Sequence, residues 1–143
     1  MSGPEFQGGC LCGAIRYRAS GAPVRGVMCH CSMCRRHSGA PALAFVHFPV
    51  DAFQWTRGSV SWFASSPKAA RGFCEVCGST IGMREDALSD RVQICVGTLD
   101  DPDAVRLDDH VWTVEKIEWF DVKDDLPRFE RSSTAVASDA LQD

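Results

Sequence analysis

At 143 residues, with an apolar fraction of 45%, the chain is long enough for one domain with a hydrophobic core of its own, so metal need not hold the whole fold together. Its 15 basic and 19 acidic residues leave a formal net charge of −4. That excludes the strongly basic face of a dedicated nucleic-acid binder and a surface built to grip anionic lipid, so neither nucleic acid nor membrane is an expected partner.

The first twenty residues hold no apolar targeting core. The longest apolar stretch, residues 40–50, is broken by His47 and is about half of the roughly 20 residues a membrane-spanning helix needs. The expected location is the cytoplasm, where thiols stay reduced. Residues 1–6 read as a loose N-terminus, 7–130 as a zinc-binding β domain and 131–143 as a disordered tail.

Between those ends the chain reads as short strands separated by turn residues. Residues 14–18 alternate apolar and basic. Residues 32–37 suit a single helical turn with Ser32 near its start. Residues 42–48 form a β-rich run ended by Pro49. Residues 53–56 and 60–63 flank Arg57, Gly58 and Ser59, the pattern of a hairpin with a three-residue loop. A short strand is expected over 80–83, and a clearer one over 91–96, with Val92, Ile94 and Val96 on one face. Residues 100–103 read as a turn and 115–122 as another alternating strand. The expected class is therefore mainly β, with short antiparallel strands in a sandwich or barrel.

Eight cysteines dominate the chemistry: Cys10, Cys12, Cys29, Cys31, Cys34, Cys74, Cys77 and Cys95. In a reducing compartment, Cys-x-Cys and Cys-x-x-Cys spacings point to metal rather than disulfides. Cys10/Cys12 and Cys74/Cys77 are two half-sites, each followed at once by a glycine suited to a tight turn (Gly13 and Gly78). Together they make one closed tetrahedral site that clips the N-terminal strand to the middle of the chain. Cys29, Cys31 and Cys34 supply three thiolates from one loop. The site is either open at its fourth position, as in catalytic zinc, or closed by Cys95, His30, His37 or His110, or else the eight thiols divide in another way. Thiolates select zinc, copper(I) or iron–sulfur. Zinc is the expected metal, two ions per chain, because the ferredoxin run of Cys-x-x-Cys-x-x-Cys is absent. The nucleobase-deaminase pattern is absent too.

Arg35, Arg36 and His37 follow the open cluster directly. The arginines suit substrate carboxylates, or else neutralise thiolates or lie on the surface. His37 suits acid–base work or a structural place. His30, between two ligands, is expected to point away from the metal, and His47 to be structural. Core packing is the default for Trp55, Trp62, Phe63, Trp112 and Trp119, and for Cys95 as a small buried hydrophobe.

In combination the motifs carry a family resemblance. These are Gly9-Cys10-Leu11-Cys12-Gly13 with Ile15-Arg16-Tyr17, Cys29-His30-Cys31 with Cys34-Arg35-Arg36 and Ser38-Gly39, and Phe73-Cys74 with Cys77-Gly78-Ser79. Further on come His110-Val111-Trp112, Trp119-Phe120 and Leu126-Pro127-Arg128-Phe129. Residues 7–130 resemble the glutathione-dependent formaldehyde-activating enzyme and centromere protein V family. The resemblance implies an Mss4-like complex β fold. It implies structural zinc on Cys10, Cys12, Cys74 and Cys77, and catalytic-type zinc on Cys29, Cys31 and Cys34. It also implies a carbon–sulfur lyase that adds formaldehyde to a thiol partner, glutathione, giving S-hydroxymethylglutathione. The alternatives are a lyase acting on another thiol adduct and a non-catalytic zinc module for a protein partner.

Overall fold

The computed structural model describes residues 3–133. In chain order its strands are β1 (Glu5–Gly9), β2 (Arg16–Ser20) and β3 (Arg25–Cys29), then helix α1 (Ser32–Ser38). Strands β4 (Leu43–Pro49), β5 (Phe53–Arg57), β6 (Ser61–Ser66), β7 (Ala69–Phe73), β8 (Thr80–Glu85), β9 (Arg91–Cys95) and β10 (Asp109–Val111) follow. A three-stranded sheet runs β1-β2-β5, and a seven-stranded sheet runs β10-β3-β4-β9-β8-β7-β6. All pairings are antiparallel except that of β10 with β3. This mainly β architecture fits an Mss4-like fold.

Burial follows position in the sheets. Strand β2 buries Tyr17 and Ala19 and turns Arg18 to solvent, as its alternation requires. Strand β4 lies inside the large sheet, and its run Phe45–Phe48 is buried on both faces. The two faces carry separate cores. On one, Phe6, Tyr17, Val46, Phe48, Ile81 and Ile94 pack between the sheets. On the other, Val27, Phe45, Met83, Cys95, Val111 and Trp112 pack around Cys29, Cys31 and Cys34.

Several local expectations are corrected. Residues 53–63 do not form a hairpin. Strand β5 joins β2 in the small sheet, where Trp55 meets Phe53 and Tyr17 edge-on at ring distances of 4.8 and 5.9 Å. Strand β6 pairs with β7 in the large sheet. Gly58, at φ 71, makes the change of sheet, and a Cβ there would meet the Ala14 carbonyl oxygen at 2.1 Å. The alternation over 115–122 does not become a strand. Lys116 Nζ donates to the carbonyls of Ile117 and Phe120, and the Phe120 N–H closes a turn onto Ile117. Strand β1 begins inside the span 1–6 and buries Phe6. Of the segment 131–143, residues 134–143 lie outside the described part; Arg131 and Ser133 bond to Trp112 and Asp109. No helix among the described residues is long and apolar enough to cross a membrane.

Candidate metal centres and cleft

The first thiol group joins two turns that are far apart in sequence. Cys10, Cys12, Cys74 and Cys77 place their sulfurs within 4.8 Å of one another. The Cys10–Cys12 and Cys12–Cys74 sulfur separations are 3.6 and 3.9 Å. A tetrahedral ion with sulfur bonds of about 2.3 Å has S···S edges of about 3.8 Å, so the donor set fits such an ion. Each turn closes on its own backbone: the Gly13 N–H donates to Cys10 O, and the Gly78 N–H to Cys74 O. Both glycines have φ near 80°, a region that other residues avoid. The Leu11 N–H donates to Ser79 Oγ at 2.9 Å and ties one turn to the other. Hydrogen bonds from the Ser79 hydroxyl and backbone, and from the Cys12 backbone, lower the Cys77 thiol to about 5.

The second group is buried and comes from one loop. Cys29 ends β3, Cys31 caps α1 and Cys34 lies in its first turn. Their sulfurs also lie within 4.8 Å of one another. The Cys31 sulfur accepts from the Cys34 N–H at 3.3 Å, taking the place of the usual hydroxyl or carboxylate cap. Gly39 closes the helix in the left-handed conformation, its N–H on Arg35 O. Contacts with Cys29 and Cys34 lower the Cys31 thiol to about 2 against the cost of burial, with Arg71 helping. The same contacts, with burial, push Cys29 upward.

None of the candidate fourth ligands joins the three-thiol group. His30 Nε2 lies 2.8 Å from His110 Nδ1, and His110 Nε2 lies 2.9 Å from Asp124 Oδ2. His30 therefore points away from the sulfurs. Cys95 packs in the same core but is not in the three-thiol group, and burial pushes its thiol upward. His37 lies on α1, outside the cleft lining, and burial lowers its pKa.

The three thiols line a cleft that opens to solvent. Strand register builds it. Arg25, Val27 and Cys29 of β3, Phe45 and His47 of β4, and Gln93 of β9 share one face of the large sheet with Met83 and Glu85 of β8 and Arg71 of β7. Arg71 is 3% exposed; its Nη1 donates to Cys34 Sγ at 3.0 Å and its Nε to Ser65 Oγ at 3.3 Å. Burial opposes its charge, but the thiols hold it protonated. Trp112 closes one wall. It holds φ 57, a conformation rare for a bulky residue, while its N–H donates to Arg131 O. Ser132 and Ser133 line the rim.

Arg35 and Arg36 lie elsewhere. They line a shallow surface groove with Gly39, Ala40, Pro41, Ile117 and Trp119, the last 74% exposed. The cation in contact with the thiols is Arg71, which the sequence reading missed. The signal available for it was an arginine flanked by small residues, Ala69, Ala70 and Gly72, in a strand with little β-propensity.

The model of the family described as glutathione-dependent formaldehyde-activating enzyme matches residues 5–115. An uncharacterized lyase of Schizosaccharomyces pombe is 36% identical over 78 residues, which cover 54% of this chain and 56% of that protein. The chain thus spans a little over half the length of this curated relative. A crystal structure of a Rhodobacter sphaeroides protein is similar with a TM-score of 0.53 and 18% identity, over 85% of this chain and 98% of that one. That likeness concerns the fold.

Proposed function

This chain belongs to the glutathione-dependent formaldehyde-activating enzyme family, and we propose that it is a zinc-dependent carbon–sulfur lyase-type enzyme that joins formaldehyde to glutathione. In that reaction the thiol sulfur bonds to the aldehyde carbon, the carbonyl π pair moves to oxygen, and the thiol proton ends on the new hydroxyl of S-hydroxymethylglutathione. The observation that carries the reading is the three-thiol group at the cleft. Among the described residues no fourth Cys, His, Asp or Glu ligand atom lies within 4.8 Å of all three sulfurs.

In this reading Cys10, Cys12, Cys74 and Cys77 hold a structural zinc, and Cys29, Cys31 and Cys34 hold the second. Bound at the second site by Cys29, Cys31 and Cys34, zinc would supply positive charge that favours the thiolate form of an incoming sulfur. The chain's own groups prepare the place. Arg71 and the Cys34 N–H donate to the thiol sulfurs and offset their negative charge. Val27, Phe45, Met83 and Trp112 wall the cleft with apolar surface and limit water there. Arg35, Arg36 and His37 meet only a part of the substrate that extends beyond the cleft.

The test follows exchange between ¹³C-formaldehyde and its glutathione adduct by NMR. Metal-loaded wild type is expected to accelerate exchange over the protein-free rate, and Cys31→Ser to lose that acceleration. Acceleration with a different thiol but not with glutathione keeps the lyase class and changes the substrate. No acceleration with any thiol leaves a non-catalytic metal module for a protein partner.

A further inference from the structure

At the end of the cleft away from the thiols, the register aligns Arg25 of β3 with His47 of β4, and His47 with Gln93 of β9. Glu85 of β8 lines the same end. His47 and Gln93 are 4 and 3% exposed. Yet both ring nitrogens of His47, Nε2 of Gln93, Oε2 of Glu85 and Nε of Arg25 are buried without a hydrogen-bond partner. Gln93 works against the upward push of burial on the Glu85 carboxyl through a side-chain contact that falls short of hydrogen-bond geometry, so these two atoms keep their capacity open. A buried polar atom left unpaired costs on the order of 1–3 kcal/mol, so five in one place call for a ligand or water to complete them.

The atoms left open are of both kinds. Arg25 Nε and Gln93 Nε2 donate, Glu85 Oε2 accepts, and a neutral imidazole does one of each. Arg25 is already paired through Nη2 with Asp109. A site for a bare anion would leave its arginine charge free and would not aim a carboxylate oxygen at the guest. This set instead complements a group that carries a carboxylate and an ammonium together.

The distance to the thiols is also defined. Cys29 lies opposite Leu43 on β4, four residues from His47. At roughly 3.3 Å per residue, the two ends of the cleft are about 13 Å apart along the strand. From the cysteine sulfur of glutathione to the Cα of its γ-glutamyl head is seven bonds, roughly 9 Å when extended. The side chains at both ends reach inward over the remainder.

We propose that Arg25, His47, Glu85 and Gln93 form a recognition site for the zwitterionic α-amino-acid head of the thiol substrate, with its sulfur at Cys29, Cys31 and Cys34. This rests on the functional reading above and adds which end of the substrate is read, and by which residues. Glutathione meets the requirement with its γ-glutamyl end innermost. A thiol of similar length without the ammonium does not.

The test is calorimetric binding to the metal-loaded protein of glutathione and of its deamino analogue, in which hydrogen replaces the α-ammonium. Wild type is expected to bind the analogue roughly tenfold or more weakly, the scale of a lost charged hydrogen bond. Glu85→Gln is expected to bind glutathione more weakly by a similar factor and to discriminate little between the two ligands. Because the key change is in the ligand, the result does not depend on the variant folding well. Equal, measurable binding of both ligands to wild type overturns this site and leaves the lyase reading standing. Absence of binding by either overturns this site and glutathione as the substrate together.

Discussion

The two thiol groups lie against opposite faces of one sheet and differ in almost every respect. The four-thiol group takes its members from two turns, Cys10/Cys12 and Cys74/Cys77, with Cys12 exposed and Leu11 and Val76 beside it in solvent. Backbone N–H groups and Ser79 satisfy it, and among the described residues no charged side chain hydrogen-bonds its sulfurs. The three-thiol group comes from one loop, is buried throughout, and has a buried arginine on Cys34. In the proposed function the contrast separates holding from reacting. A group that joins distant segments and is complete in itself fastens the fold. A group that is local, incomplete and charge-compensated at a cleft offers a place for chemistry.

The sharpest way to break the comparison is to remove one thiol from each group. Cys74→Ser is expected to lower Tm by on the order of 10 °C or more, because it releases both segments. Cys31→Ser is expected to lower it by only about a few degrees and to lose one metal per chain. Calorimetry and metal analysis on both variants check this, and equal losses of Tm would erase the distinction.

Next in size is the arginine. Arg71→Leu is expected to weaken metal affinity at the three-thiol group by about 10–100-fold, the usual consequence of losing a group that supports a ligand. Affinity at the four-thiol group should stay unchanged. Chelator competition resolves the two sites, and Arg71→Lys should recover part of the loss by restoring the charge.

Acid sharpens the contrast further, because His47 belongs to the cleft face. Burial, with Arg91 and Arg25, lowers its pKa from 6.5 to about 3. Below pH 6.5 the unfolded chain takes up a proton that the folded chain refuses. Stability is therefore full above 6.5 and falls as pH drops toward 3, by up to about 1.4 kcal/mol per unit from this residue. Thermal melts of wild type and His47→Gln from pH 7 to 5 should show the shallower decline in the variant; parallel declines would contradict it. The smallest effect expected is at the end of α1. Gly39→Ala adds a Cβ that meets nothing within 4 Å but must hold φ 75, at a cost of about 1 kcal/mol. A Tm lower by about 2–6 °C, with unchanged metal content, is the predicted result.

The parts of this design that were legible in the sequence are those encoded locally. Ligand spacing and the following glycines mark both thiol groups, and alternation marks β2 and β9. What was not legible depends on which strands become neighbours. Arg71, Gln93 and Glu85 reach the cleft only through the β7-β8-β9 register; the small neighbours of Arg71 are a faint local signal, and nothing in the immediate sequence of Gln93 and Glu85 separates them from surface residues. Residues 53–63 have the local pattern of a hairpin, but β2 and β7 offer their strands better partners on different sheets. The run 115–122 alternates as a strand should, yet it closes into a turn held by Lys116.

The most direct test of the central claim, that one thiol group holds the fold while the other takes a substrate sulfur, is metal content and glutathione binding measured on the same preparations of wild type and Cys31→Ser. The account predicts two zinc ions per chain and saturable glutathione binding in wild type, and one zinc, an intact fold and no thiol binding in the variant. Two tightly held zinc ions in wild type with no thiol binding at any concentration would contradict it.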